Sequence, residues 1–277
     1  MGTLYLVATP IGNLEDISQR ALRILREASL IAAEDPRQTG KLLTHFGIKT
    51  QMVSYHEHNK LSKIDVILRT LDAGDVALVS DAGTPGLNDP GYELVTAVLQ
   101  RRYTVSPVPG PAAPVAALVA SGLPTDAFLF LGYLPRKTAE RRKKLGEVAD
   151  DPYTLVFLEV PHRLRESLDD LLLVIGDRPA AAAREMTKLH EEFVRGNLSF
   201  LREHFSVVEP RGEFTLVIAG KTAGESRWDE DRVRASLEAY VQSEVPAGQA
   251  AEKVAAAAGW RKNDVYRMLI RMKQGKI

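Results

Sequence analysis

The sequence contains no cysteine, and that absence removes disulfide scaffolds, thiolate nucleophiles and cysteine-ligated zinc or iron–sulfur sites together. A reducing cytoplasm is the compartment this favours. Net charge is also missing: 36 basic residues balance 36 acidic ones, so no global field draws the molecule to nucleic acid and any such contact must come from local patches. No run reaches the roughly 18 apolar residues that a bilayer span needs. The N-terminus passes from Met1 into the strand-like Leu4–Ala8 without a basic region and long apolar stretch. Neither an export segment nor a membrane partner is expected. Absent too are G-x-G-x-x-G and the Walker spacing, so neither a Rossmann dinucleotide site nor an NTPase is supported. Among the histidines only His56 and His58 have ligand spacing, and no carboxylate pattern completes them; no metal site is expected.

What is present reads as α/β. Apolar runs bounded by Gly, Pro and Asp recur at Leu4–Ala8, Leu30–Ala33, Val76–Val79 and Val105–Val108, with helical periodicity between them. The most regular helical period runs from Ile17 to Ala33, with Asp16 or Ser18 to cap its start. Further helices are predicted at Glu93–Arg101 and Pro114–Ser121. After a joint at Gly122–Thr125, strands at Phe128–Leu131, Thr154–Leu158, Ala180–Ala183 and Phe214–Ala219 alternate with helices at Ala139–Val148, Leu164–Val174 and Leu198–His204. Beyond a polar stretch, Arg232–Gln242, Ala247–Ala258 and Lys262–Lys273 are helical and have helix-turn-helix proportions. The expected architecture is two α/β domains, residues 1–120 and 121–222, followed by a small helical domain, residues 223–277.

Three strands of the first half end in turns built from small and conformationally special residues. These are Thr9-Pro10-Ile11-Gly12-Asn13, then Ser80-Asp81-Ala82-Gly83-Thr84-Pro85 with Asn88-Asp89-Pro90-Gly91, and Pro107-Val108-Pro109-Gly110-Pro111-Ala112-Ala113. Such turns bring bare backbone close to a ligand at the carboxyl edge of a sheet, which is where open α/β sheets bind ligands. Taken alone each reads as an ordinary turn; Asp81 is either an acceptor for an ammonium or a ribose hydroxyl or, like Asp89, a cap of a turn or helix. Three together imply a shared crevice.

In order and content these turns resemble the tetrapyrrole-methylase superfamily. The closest likeness is its bacterial branch that methylates the 2′-hydroxyl of a cytidine in small-subunit ribosomal RNA. Ala33-Glu34-Asp35, Phe130–Pro135, Glu159-Val160-Pro161-His162-Arg163, Arg184-Glu185-Met186-Thr187-Lys188 and Gly212–Val217 extend the resemblance over roughly residues 3 to 220. It implies a homodimeric two-domain enzyme holding S-adenosylmethionine in the cleft between its domains. The cofactor would touch Pro10, Ser80, Asp81, Ala82, Gly83, Thr84, Ala112, Ala113, the Leu158-Glu159 strand end, Met186, Gly212, Glu213, Phe214 and Thr215. Pro36 stands where the family commonly has Thr, which deletes a backbone donor and a hydroxyl beside a suspected substrate edge.

Methyl transfer to a ribose hydroxyl needs a base or a nearby cation. Asp35, Glu159, Glu185 and Lys188 are the candidates. Lys188 serves either as a base or as a charge that stabilises the developing alkoxide, and Arg184 beside it favours the second role. The plain alternative for this cluster is a structural ion pair. Arg37 with Glu34-Asp35 is a candidate for ribose and phosphate, or else marks a helix C-terminus with ordinary surface charges. Arg163 and Arg184 join the substrate-binding set. The densest basic run, Arg136-Lys137 with Arg141-Arg142-Lys143-Lys144, is either a solvated helix face or a phosphate contact. A second basic stretch holds Arg261, Lys262, Arg267, Arg271, Lys273 and Lys276, interleaved with Trp260 and Tyr266, which are read as core. The partner expected is ribosomal RNA in the small ribosomal subunit. Two competitors remain: carbon methylation of a tetrapyrrole, and an RNA-binding assembly factor that kept the fold without the chemistry.

Overall fold

In the computed structural model, residues 2–221, 228–241, 243 and 245–274 are described. The chain divides into two compact units, Met1–Gly220 and Lys221–Ile277. The first holds two five-stranded sheets.

The first sheet contains β1 (Thr3–Val7), β2 (Leu30–Ala33), β3 (Met52–Ser54), β4 (Val76–Val79) and β5 (Thr104–Val108), in the order β3-β2-β4-β1-β5 and parallel throughout. Every residue of β2 and β4 is buried, because helices cover both faces of a parallel sheet. Ile31, Ala33, Ala77 and Val79 pack with α1 (Gln19–Glu27) and with Leu43 of α2 (Pro36–His45). Leu30, Ala32, Val76 and Leu78 pack on the opposite face with α3 (Lys60–Ala73) and α4 (Tyr92–Gln100). The chain leaves β2 outward towards β3 and leaves β4 the other way towards β5. Their carboxyl ends therefore part, which is the place where open α/β sheets leave a crevice.

The helix expected over Ile17–Ala33 is a shorter one. Ser18 does cap it, its Oγ accepting from the Ala21 N–H at 3.0 Å, but it ends at Glu27. Ala28 is extended, and the Ser29 N–H donates to the Asp75 carbonyl. Leu30–Ala33 then forms ladders with both β3 and β4, and that pairing overrides the helical period. Asp35 lies at a helix start, not at a C-terminus: its carboxylate accepts from the Arg37 N–H at 2.9 Å and caps α2. Pro36 occupies the first turn of α2, where its missing N–H would have had no helical partner anyway.

The second sheet contains β6 (Phe128–Tyr133), β7 (Thr154–Glu159), β8 (Pro179–Arg184), β9 (Glu192–Asn197) and β10 (Phe214–Ile218), in the order β6-β7-β10-β8-β9. Only β6 and β7 are parallel. On one face Leu155, Phe157, Leu216 and Ile218 pack with α6 (Thr138–Val148), α7 (Leu164–Ile175) and α8 (Leu198–Val207). On the other, Val156, Ala181 and Val217 receive Ala117 and Leu118 of α5 (Ala113–Ser121). The helix that follows the last strand of one sheet thus covers the other sheet, and the division expected at 120/121 runs through its end. The division expected at 222/223 lies outside the described residues.

Arg141 is not a surface cation. Its side chain is 1% exposed, with Nε donating to Asp170 at 2.6 Å and Nη1 to the Arg136 carbonyl at 3.2 Å. Arg142 Nε donates to the other oxygen of Asp170 at 2.6 Å. The expectation that these two arginines contact phosphate is corrected for Arg141 by its burial; Arg142 is half exposed but committed to Asp170. Arg136, Lys137 and Lys143 keep the run's exposed charge.

The second unit contains α9 (Glu230–Val241), α10 (Ala247–Ala258) and α11 (Lys262–Lys273) around Val233, Leu237, Ala251, Val254, Val265 and Leu269. Gln242 and Lys276, named above, lie outside the described residues. Trp260 packs against this core and its indole N–H donates to the Trp228 carbonyl at 2.7 Å. Tyr266, expected in the core, is 42% exposed, because it falls on the flank of α11 beside the buried stripe of Val265, Met268 and Leu269 rather than within it.

Candidate active site

The three turns of the first sheet are stitched to one another. Thr9 and Gly83 exchange backbone hydrogen bonds at 2.8 and 3.0 Å, joining the turns after β1 and β4. Thr84 Oγ1 donates to the Pro111 carbonyl at 3.2 Å and joins the turn after β5. The ends of β2 and β4 are tied reciprocally: the Asp81 N–H donates to Glu34 Oε2 at 3.2 Å and the Asp35 N–H donates to Asp81 Oδ1 at 3.0 Å. A crevice is therefore held open by its rims.

Both sheets line it. A cavity of about 360 Å³ is bounded on one side by Ile11, Glu34, Asp81, Ala82, Gly83, Thr84, Ala112 and Ala113. Tyr133, Leu158, Glu185, Met186, Lys188, Glu213, Phe214 and Thr215 bound it from the second sheet, with Leu87, Asn88 and Asp89 from the loop after β4. A smaller hollow of about 230 Å³ holds Pro10 and Ser80 and shares Asp81 with the cavity. The size suits one small ligand.

Carboxylates dominate its electrostatics. Burial pushes Asp89 up to about 6, helped by the nearby charge of Glu34. Burial also raises Asp81, and it raises Glu34, which the charges of Asp81 and Asp35 push further. The Tyr133 phenol is raised by burial and then by Glu213. Crowded carboxylates that resist ionisation make a site where a cation is welcome, since its charge relieves the repulsion. Asp89 carries a consequence for stability. Because its folded value lies above the ordinary one near about 4, its contribution is fully present below that value and is lost as pH rises through about 6.

The segment between β8 and β9 forms the opposite wall. Glu185 and Thr187 both have left-handed backbones, φ 49° and 65°, a conformation that non-glycine residues adopt at a cost and that concentrates at functional sites. Lys188 Nζ donates to Glu185 Oε1 at 2.9 Å. Two glycines make room for this pair. A Cβ on Gly12 would sit 2.5 Å from Cγ of Lys188, and one on Gly212 would collide with the carboxylate of Glu185. The special turn after β1 thus seats Lys188.

Several candidates lie elsewhere. Asp35 does not line the cavity; its carboxylate holds Arg37 and caps α2, and the Arg37 guanidinium takes it down to about 2. Glu159 is corrected as a catalytic candidate, because it is fully buried and satisfied: it accepts from Ser167 Oγ at 2.5 Å, Arg163 Nη2 at 3.1 Å and the Val160 N–H at 2.8 Å. Arg163, expected to bind substrate, spends its Nη2 on Glu159 and the Leu134 carbonyl. Arg184 is paired with Glu192 and mostly buried, so it too is structural here. Asn88 and Asp89, read above as part of a ligand-side turn, and Tyr133 line the cavity although the sequence assigned them no cofactor or catalytic role. Their signal was the polar, proline-bearing length of the turn after β4 and the Gly132-Tyr133 turn after β6. Among the described residues no group of three or more His, Cys, Asp or Glu side chains is placed to hold a metal ion.

A two-sheet chain with a cavity walled by both sheets matches a known family. Residues 3–201 match the family described as Tetrapyrrole (Corrin/Porphyrin) Methylases, and the chain belongs to this family of methyltransferases. Two full-length relatives carry the name ribosomal RNA small subunit methyltransferase I. The protein of Halalkalibacterium halodurans is 47% identical over 96% of this chain and 93% of its own, and that of Synechocystis sp. is 44% identical over 98% and 99%. The fold is that of the uroporphyrin-III C-methyl transferase from Thermus thermophilus, solved in complex with S-adenyl homocysteine. That structure has a TM-score of 0.55 and 24% identity, and covers 79% of this chain and 97% of its own.

Proposed function

We propose that the chain transfers the methyl group of S-adenosylmethionine to the ribose 2′-hydroxyl of a cytidine in 16S ribosomal RNA, in the decoding region of the small subunit. The observation that carries the donor half is the cavity itself: Glu34, Asp81 and Asp89 suit a sulfonium and an ammonium, while Ala112, Ala113 and Gly83 leave room for a planar base. The acceptor half rests on the two relatives named for small-subunit ribosomal RNA. Bound there, the donor supplies a methyl on a positively charged sulfur, which is already activated for in-line displacement. The hydroxyl oxygen forms the new C–O bond as the C–S bond breaks, the sulfur leaves as a neutral thioether, and the hydroxyl proton passes to a base. Lys188 and Glu185 stand at the cavity wall as the groups for that proton and for the charge left on oxygen. The chain works as a homodimer in the cytoplasm; the exposed apolar pair Val115 and Val119, one turn apart on α5, favours self-association, which sedimentation would measure.

Transfer of labelled methyl to purified small subunits, with nuclease mapping, tests this reading. Label in a nuclease-resistant linkage at one cytidine is expected. Label on a base, or transfer to a uroporphyrinoid in its place, would overturn the ribose assignment.

Two outcomes follow for single residues. Lys188→Met lowers kcat by about 100-fold, the range of one positioned proton-transfer or charge-stabilising group, with donor affinity within about threefold of the parent. Equal loss in affinity and kcat would place Lys188 in donor binding alone. Donor affinity also falls as pH drops through about 6, because Asp89 takes up a proton there and loses its attraction for the cation. Calorimetry should read roughly tenfold weaker binding at pH 5 than at pH 8. Asp89→Asn should flatten that profile.

A further inference from the structure

The chain's charge is balanced as a whole but uneven in its second unit. α9 mixes Glu230, Asp231 and Glu238 with Arg232 and Arg234, whereas Arg261–Lys273 contains five basic residues and one acidic one, Asp264, which is held to Arg267 at 2.9 Å. α11 follows α10 after a three-residue turn, Gly259-Trp260-Arg261, and gives Val265, Met268 and Leu269 to the core. Away from that core Arg267 and Arg271, four residues apart, share one exposed face of α11, while Lys262, Tyr266 and Lys273 lie exposed along its flank and Arg261 at its start, with Lys262 held to Glu252 at 2.5 Å. A second helix behind a short glycine turn, presenting exposed arginines with an aromatic ring on the flank, is the arrangement by which helix-turn-helix units meet polyanions.

The comparisons differ in how much of this chain they span. The uroporphyrin-III C-methyl transferase fold covers 79% of this chain while using 97% of its own length, a share that residues 1–220 by themselves would supply. The relatives named for ribosomal RNA cover 96% and 98% of this chain. A share of this chain equal to the helical unit is thus left uncovered by the fold of the uroporphyrin-III enzyme and covered by the relatives named for ribosomal RNA.

We propose that the exposed basic face of α11 is an RNA-binding surface that docks on the sugar–phosphate backbone of folded small-subunit RNA and supplies substrate affinity separate from the transfer cavity. The inference rests on the ribosomal RNA reading above. Arginine forks match phosphate oxygens, and the exposed Tyr266 ring offers a face on which an unpaired base can stack. Each phosphate contact releases counterions, so the contribution of this face weakens with salt.

The test uses the full chain with Arg267→Glu and Arg271→Glu together. Binding to purified small subunits is measured across a salt series, alongside methyl transfer and donor calorimetry. The expected result is a KM for subunits raised at least about tenfold, a shallower salt dependence by roughly two counterions, and unchanged kcat and donor affinity. Arg267→Lys with Arg271→Lys should keep most of the affinity. Should the double reversal melt early, Arg271→Glu alone changes the same face and must raise KM in the same direction. A parent that methylates subunits while both reversal variants keep its KM and salt slope would overturn the inference alone. A parent that binds subunits but never methylates them, with binding lost in the variants, sinks the ribosomal methylation reading and keeps the surface. A parent that neither binds nor methylates sinks both, and so would loss of binding to anionic vesicles alone with RNA binding intact sink the RNA assignment.

Discussion

Substituting tryptophan for Ala112 abolishes donor binding while leaving the chain folded. Ala112 lines the cavity at the start of α5, where it makes no capping hydrogen bond, and its extended backbone, φ −146° and ψ 109°, is one that any L-residue adopts. An indole there occupies space against Ala113, Gly83 and Thr84 in a cavity of about 360 Å³. The loss should be on the order of 1000-fold in affinity, about 4 kcal/mol, so that calorimetry detects no heat at donor concentrations that saturate the parent. Ala112→Ser, which adds one small atom, should bind within a few fold. Parent-like binding by the tryptophan variant would mean that the donor sits elsewhere.

Asp170→Ala should produce the largest loss of stability. The Asp170 carboxylate is 3% exposed and accepts from both Arg141 and Arg142. Its removal strands the buried Arg141 guanidinium, which keeps only carbonyl, hydroxyl and distant Glu166 contacts. Breaking one side of such a pair costs about 3–5 kcal/mol. For a body of this size that corresponds to a melting temperature lower by roughly 10 °C. Replacing both partners, Arg141→Met with Asp170→Leu, should recover most of the loss, since no charge is then left buried. If Arg141→Met instead left melting unchanged and weakened RNA binding, Arg141 would be a surface contact after all.

Much of the fold is legible in the residues, and the exceptions have physical causes. Val76–Val79, Ala247–Ala258 and Lys262–Lys273 have the bounds their patterns predict, because each pairs a strong period with clear stops such as Asp, Pro or Gly. β3 is three residues of a half-buried edge and β9 alternates weakly through Arg and Gly, so neither announces itself. α2 and α3 escaped notice as well; α2 buries only Thr39 and Leu43, too little to print an apolar face. Leu30–Ala33 reads as helix or strand until its partners β3 and β4 are known, and those lie about 20 and 46 residues away in the chain.

The cavity follows the same division. That three Gly- and Pro-bearing turns converge could be read from their spacing, because each follows a strand of one parallel sheet. Which charges face the ligand could not. Glu159 looks like Glu185 in the sequence, yet it is sealed by Ser167 and Arg163, eight and four residues on. Arg141 sits in a basic run, but its partner Asp170 is 29 residues distant. Asp89 resembles any turn carboxylate until burial beside Glu34 shifts its titration. The left-handed backbones of Glu185 and Thr187 leave no mark in residue type at all.

Diffraction from crystals grown with S-adenosylmethionine would test the shared cavity most directly. Density for the sulfonium and its methyl is expected between the Asp81–Thr84 turn, Ala112 and Thr215, with Lys188 at the open side. Donor bound outside these residues, or a cavity left vacant at saturating donor, would contradict it.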